Sequence, residues 1–555
     1  MREEVRQNNV EEPTVRHRRR QLPAAFISQL HRMNPSNLGA MDQICYDCNA
    51  KHWIAEKPAA ATRKNDYFTS CCKKGEVDIE LLREPPAFLK DLYDNRQASG
   101  KEFRKNIRKY NSKFAFTSTR CNNPNVSMSN MPVQIQGQMQ HVQGPLNTDT
   151  IEQARFSQLY LYDPESAAAE RLRTSNRLRM GDRSRANERL KKSIFDNITI
   201  ELHQVNPLIR LYRSAFEILS AAAETTTDNV SVRVAPSLQI ELISGRDRRT
   251  QNLPTSNEVA MIIPEMADAN FRDVHIYLRN STTEFTYTTI SPNHAMYMPS
   301  HYTLMFPHGN MGWNWGLRLR DTQDKDDKLK QLMYYRFRLH QRANEYPIIF
   351  KACRLFQQYL VDIWAVCDQN KLDWFRVKQK QIRADLYGGL EDALLNEDID
   401  ASNSGRMILP SSHTGGPRFM AKLYQNSMAI VRHLGKPSLF ITFTANPKWK
   451  EITDELFTGQ NASDRPDLVA RVFNLKVKEL LKDVKERKIF GSYKGLVRTV
   501  EYQKRGLPHV HILVFLDPAR SINTKQDIDQ VISAELPSKQ NDPVLYEIIT
   551  RCMGK

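Results

Sequence analysis

The chain lacks the features that would place it in a membrane or mark it for export. Across 555 residues no window holds the ~20 uninterrupted apolar residues that a membrane-spanning helix needs. The opening run Met1-Arg2-Glu3-Glu4-Val5-Arg6 has no apolar core of the kind a secretory leader carries. Eight cysteines are too few, over this length, for a disulfide framework. The expectation is an intracellular protein with no membrane partner. The pattern G-x-x-x-x-G-K-[S/T] occurs nowhere, which excludes an ATPase motor of that type.

What the chain has is positive charge. Lysine and arginine number 80 against 63 acidic residues, for a net +17 and an isoelectric point near 9.4. Such an excess points to a polyanionic partner, most simply nucleic acid. Hydrophobic residues make up 40%, enough for sizeable cores, and the length predicts more than one domain. The cluster Arg16-His17-Arg18-Arg19-Arg20 reads either as a nuclear import signal or as a solvated tail. The first alternative sets the nucleus as the expected location.

Taken in order, residues 1–35 are charged and aperiodic, a disordered basic arm. Residues 36–95 form a cysteine-rich region. Cys45 and Cys48 make a Cys-x-x-Cys knuckle, and Cys71 and Cys72 follow at a distance suited to Zn²⁺, or the four are a reduced, partly buried cysteine cluster. Adjacent cysteines rarely both ligate one ion with ease, so His52 is a further candidate. In residues 96–120, the run Arg108–Ser118 interleaves bases with aromatics. That suits stacking on single-stranded nucleic acid, with Arg108 and Lys109 as contacts, and it equally suits an ordinary strand. Residues 121–150 read as a linker.

Residues 151–320 read as a mixed α/β region. Phe156–Asp163 reads as a strand, Leu190–Ala223 as helix, and short alternating runs between Val230 and Tyr287 as a small sheet. Residues 321–555 begin with a helical block whose polar faces carry Arg336, Arg338, Arg342, Lys378, Lys380 and Arg383, a possible DNA path in aggregate. Ile408–Met420 offers serines, Gly415-Gly416 and Arg418 for a phosphate, or is a bare turn. Ser438–Trp449 reads as a buried strand ended by Asn446-Pro447, and 466–488 as an amphipathic helix. The fold class is α+β and multidomain: a zinc-knuckle-like N-terminal region, a helical middle, and a C-terminal antiparallel sheet with helices.

That sheet contains the densest signal. Leu496–Tyr502 and Val510–Leu516 flank a turn holding Lys504, Arg505, Gly506 and Pro508, the pattern of an antiparallel hairpin. Strand side chains alternate, so His509 and His511 share a face. Two imidazoles there can bind a divalent metal if a neighbouring strand gives a third ligand, or are a chance pair on a solvated face. Glu501 and Gln503 both lie across the hairpin. Glu501 is preferred because a carboxylate suits Mg²⁺ or Mn²⁺.

The runs Pro437–Ile452 and Glu501–Leu513 resemble the replication-initiator region of Helitron transposons. So do L-F-Q-Q-Y-L-V-D, L-P-S-S-H-T-G-G-P-R-F-M and D-P-V-L-Y-E-I-I. The resemblance implies an HUH-type endonuclease fold over 408–555, incomplete here, within a helicase-like domain over 321–555. It implies rolling-circle chemistry on transposon ends, with His509 and His511 as metal ligands and a tyrosine attacking a phosphate of single-stranded DNA to form a covalent phosphotyrosine. Lys504, Arg505 and Arg418 are further DNA contacts. Tyr546 is the only tyrosine after His511, and it lies in a segment that the family places before its nucleophile. The expectation is therefore that the attacking tyrosine and the family's helicase lie outside this chain, the helicase acting in trans; the alternative is a catalytically inactive DNA-binding remnant that recognises transposon ends without cutting them.

Overall fold

The computed structural model describes residues 36–58, 68–121, 139–176, 190–225, 231–234, 240–243, 274–277, 288–320, 327–382 and 408–552, apart from short gaps that include 144, 380, 504 and 505. Two compact bodies are present. Among the described residues, the larger holds those of Leu38–Arg418 and Pro447–Val472; the smaller holds those of Phe419–Asn446 and Phe473–Lys555 with Ser36 and Asn37.

The larger body starts with a two-residue ladder, β1 (Gln43–Ile44) against β2 (Lys51–His52), and a single turn α1 (Thr69–Cys72). Helices α2 (Ala87–Asp94) and α3 (Ala98–Phe114) follow. On α3, Phe103, Ile107, Tyr110 and Phe114 fall on one stripe and are fully buried. Each contributes roughly 1.5–3 kcal/mol. The aromatics of Arg108–Ser118 are thus core residues of a helix and its exit, and not a surface for stacking bases. Phe116, just past the helix, packs parallel to Tyr160 and Tyr212 at 4.4 and 5.1 Å. Arg108 and Lys109 are exposed on the other side of α3. Gly100 lets α3 start hard against α2, since a Cβ there would strike the Asn95 carbonyl.

The stretch read as a linker contains β4 (Met139–Gln143), paired on one side with β3 (Ser118–Cys121). The stretch read as a strand at 156–163 is instead a 3₁₀ turn, Phe156–Tyr160, entered at a left-handed Phe156 (φ 52). Helices α4 (Pro164–Asn176), α5 (Lys192–Val205) and α6 (Pro207–Thr225) extend the core. The three alternating runs form an antiparallel sheet of β5 (Ser231–Val234), β6 (Ile240–Ile243) and β7 (Val274–Tyr277), with β5 central. Strand β8 (Thr288–Ile290) pairs with the free side of β4, and α7 (Tyr297–His301) follows it.

Helices α8 (Gln331–Arg338), α9 (Ile348–Lys351) and α10 (Cys353–Val377) complete the core, with Leu355, Phe356 and Tyr359 of α10 inside. Two cations read as lining a DNA path are interior. Arg342 lies 3.5 Å over the Phe337 ring and donates to the carbonyls of Phe337 and His340, and Arg338 is buried. Arg336 is exposed, whereas Lys380 and Arg383 fall outside the described residues.

Among these elements sits a buried polar knot. His141 of β4 directs Nε2 to Asp362 of α10 at 2.9 Å and Nδ1 to the Tyr297 carbonyl at 3.1 Å. Tyr302 donates to the same Asp362 oxygen at 3.0 Å. Burial opposes the Asp362 charge, but His141, His301 and the Tyr302 hydroxyl hold its carboxyl below the usual range.

The smaller body is built on three antiparallel strands, β9 (Leu439–Thr444), β10 (Tyr493–Tyr502) and β11 (Pro508–Leu516), with β11 central. Helix α11 (Pro417–Leu434) precedes β9, α12 (Pro466–Lys485) leads to β10, and α13 (Pro543–Cys552) lies near the C-terminus. Val510, Ile512 and Val514 of β11 point to the back and are fully buried. There Phe443 of β9 stacks on Phe473 of α12 at 5.9 Å. On the front, Leu434 of α11 rests where a side chain at 495 would be, so Gly495 is needed.

Candidate metal centres

Local backbone brings four sulfurs together in the larger body. After β1 the chain folds back, with the Asn49 amide donating to the Cys45 carbonyl and the Cys45 amide to the Ala50 carbonyl, each at 2.9 Å. Asn49 takes a left-handed φ of 58 to close this turn. On the other side α1 ends in three left-handed residues, Lys73, Lys74 and Gly75. That curl points the Gly75 amide at the Cys72 sulfur, 3.3 Å away.

The Sγ atoms of Cys45, Cys48, Cys71 and Cys72 lie within 4.8 Å of one another, and none is in a disulfide. Cys72 is 3.8 Å from both Cys45 and Cys71. A tetrahedral ion with Zn–S bonds of about 2.3 Å has an S···S edge of about 3.8 Å. The donor set and its spacing therefore fit zinc, and this four-cysteine group could hold such a metal. Crowding also splits the thiol acidities. Hydrogen bonds from Cys48, Cys71 and Cys72 drive Cys45 far down, and Cys48 is lowered too. Cys71 and Cys72, beside those two, are driven far up.

His52 stands apart from this group. Its ring stacks on Phe68 at 3.9 Å and its Nδ1 meets Glu56 at 2.9 Å. Glu56 in turn receives two bonds from Arg471, at 2.9 and 2.6 Å. Burial works against the Glu56 charge, but His52 and Arg471 hold it down to about 2. The adjacency of Cys71 and Cys72 argued for His52 as a ligand; the fold instead gathers both cysteines.

The second group lies on the front of the smaller sheet. Antiparallel register sets Glu501 of β10 opposite His509, and His509 opposite Thr444 of β9. One row along, His511 stands between Thr499 and Thr442. Glu501 Oε2 is 3.4 Å from His509 Nε2 and 4.0 Å from His511 Nε2. The three ligand atoms lie within 4.8 Å of one another, with both imidazoles half-buried and Glu501 exposed. Two imidazoles and a carboxylate on one face, with solvent beyond, can hold a divalent cation and keep positions for a substrate oxygen.

Two neighbours of this group escape a reading of the sequence. Thr442 Oγ1 is 3.0 Å from His511 Nδ1, which leaves Nε2 toward Glu501. Phe440 lies against the His511 ring, centroids 5.3 Å apart and planes 17° apart. Strand β9 is not buried on both faces as its apolar run suggested, because Phe440, Thr442 and Thr444 are exposed. The alternation F-x-T-x-T was the available signal, but only the register places it beside the histidines.

Arg418 is half-buried at the start of α11. In the loop before it, the amides of His413 and Gly416 are spent on the carbonyls of Pro410 and His413. Lys504 and Arg505 lie outside the described residues. Tyr546 is half-buried on α13.

A helix-backed antiparallel sheet with a His-x-His central strand and a facing carboxylate defines an α+β protein with a candidate metal centre. Residues 334–514 match the family model described as the Helitron helicase-like domain at the N-terminus. The chain therefore contains a Helitron helicase-like domain, and Glu501, His509 and His511 fall within it. No curated protein matches the chain. Among the described residues, no helix is long and apolar enough to cross a membrane.

Proposed function

We propose that the front of the smaller sheet is the phosphate-handling centre of a Helitron-type transposition protein, working on single-stranded DNA at transposon ends. The observation that carries this reading is the convergence of Glu501, His509 and His511 inside the Helitron-like domain. Bound there, Mg²⁺ or Mn²⁺ would supply Lewis-acid polarisation of a phosphate oxygen for nicking and strand transfer. Glu501 contributes the hard oxygen and negative charge, and His509 and His511 contribute Nε2. The attacking tyrosine is not one of these three residues, and we assign Tyr546 to helix packing. The four cysteines are assigned a structural Zn²⁺, and the basic surface the sequence-independent part of DNA binding.

The test uses labelled single-stranded DNA with and without Mn²⁺. Mn²⁺ is expected to tighten binding, and His509→Ala to remove that increment while leaving salt-sensitive binding in place. Indifference to Mn²⁺ in both proteins would leave a DNA-binding remnant without a metal centre. A covalent protein–DNA adduct that depends on His509 would place the nucleophile in this chain and reopen the case of Tyr546.

A further inference from the structure

We propose that Phe440 is the floor of a nucleobase subsite. The base of the nucleotide whose phosphate lies at Glu501, His509 and His511 stacks on the Phe440 ring. The proposal rests on the phosphate-centre reading above and specifies how that centre would take its substrate.

Phe440 is 67% exposed. A phenyl ring has no polar tip to justify that position, and leaving it in water forgoes burial energy. Its place is not incidental. Strand β9 pairs Phe440 with Leu513 and Thr442 with His511, so Phe440 stands on the same front face one row from the histidines. Rows on one face are about 7 Å apart, a separation that fits a base beside its own phosphate. The near-parallel contact with His511 supports one side of the phenyl ring and leaves most of its surface free.

The surroundings limit what can lie there. On the next row, Phe515 is buried and Leu434 occupies the space above Gly495, so α11 closes the sheet front at that end. In the other direction the face is polar, with exposed Thr442, Thr444 and Thr499 hydroxyls around the imidazoles. An aromatic floor set against hydroxyls and metal-type ligands matches a nucleotide, apolar at the face of its base and anionic at its phosphate. A second protein segment covering the sheet would meet this polar half with no evident complement. Stacking needs a base with a free face, which single strands offer and duplexes withhold. Phe440 thereby makes the centre selective for unpaired DNA. Stacking reads no base edge, so the subsite tolerates any base.

The experiment uses the full chain, a labelled oligothymidylate and an abasic strand of the same length, each with EDTA or Mn²⁺. Phe440→Ala is expected to weaken oligothymidylate binding about tenfold and to leave abasic binding unchanged. Phe440→Trp is expected to restore affinity, its indole fluorescence quenched as the oligonucleotide binds. Equal affinity of Phe440→Ala and wild type for oligothymidylate would overturn the subsite, as would an unquenched indole in a saturated complex. A parallel Mn²⁺ titration separates the two readings. If Phe440→Ala loses Mn²⁺ as well as DNA, the ring serves only to hold His511 and the subsite is overturned. If wild type itself takes up no Mn²⁺, the metal centre fails, while the comparison of the two strands still decides the role of Phe440.

Discussion

A histidine offers a metal one of two nitrogens, and the partner of the other nitrogen decides which. At His511 that partner is Thr442, whose hydroxyl is 3.0 Å from Nδ1. Thr442→Val keeps the shape of the side chain and removes the bond. Mn²⁺ affinity is then expected to fall about tenfold, measured by titration, while metal-free binding of single-stranded DNA stays as in wild type. An unchanged Mn²⁺ isotherm would show that Thr442 does not position the ligand. Strand alternation made His509, His511 and Glu501 legible in the sequence, because a tight hairpin fixes which residues face each other. Thr442 and Phe440 were not legible, since β9 lies more than sixty residues before β11 and nothing local sets its register.

Elements with one strong period were readable: α12 and the β10–β11 hairpin have close to their expected bounds. Segments in which two periods overlap were not. Tyr110, Phe114 and Phe116 fit a helix stripe and its exit as well as strand alternation, and burial decided for the core. Met139–Gln143 lacks an apolar run, and it became β4 by pairing with distant β3 and β8. The cysteine turns belong to this scale too, because α1 is only four residues long and has little helical stability of its own. If the four cysteines hold an ion, chelating it is expected to lower the melting temperature of the chain by roughly 5–10 °C, and Cys71→Ser to do the same without chelator. Purified protein that holds no zinc and melts identically with and without chelator would remove the structural role.

For the molecule as a whole, histidines whose protonation burial opposes are expected to set the response to acid. Burial, with the neighbouring His141, holds His301 down to about 3; burial, with Arg171 and Arg213, holds His203 down to about 4. In the unfolded chain both take a proton near pH 6.5. Between that value and the folded pKa values the unfolded state binds more protons, so stability falls as pH drops. The loss is up to about 1.4 kcal/mol per pH unit for each histidine. Asp362, held below its ordinary value, adds a loss of the same sign further down. Melting temperatures are expected to be level above about pH 7 and to decline toward pH 4, more shallowly in His203→Gln. A flat profile over that range would show that these rings are hydrated or charged in the folded protein.

The bond between Glu56 and Arg471 joins positions 415 residues apart within one body. During synthesis at ~5–20 residues per second, Glu56 emerges roughly 20 to 80 seconds before its arginine. Until then its carboxylate has only local partners, His52 and the Trp53 amide, to offset the cost of entering the interior. Residues 51–56 are thus among the first parts of the body to be made and among the last to gain all their partners. Chains cut short before Arg471 would leave Glu56 without its arginine, and these are natural clients for chaperones and proteases.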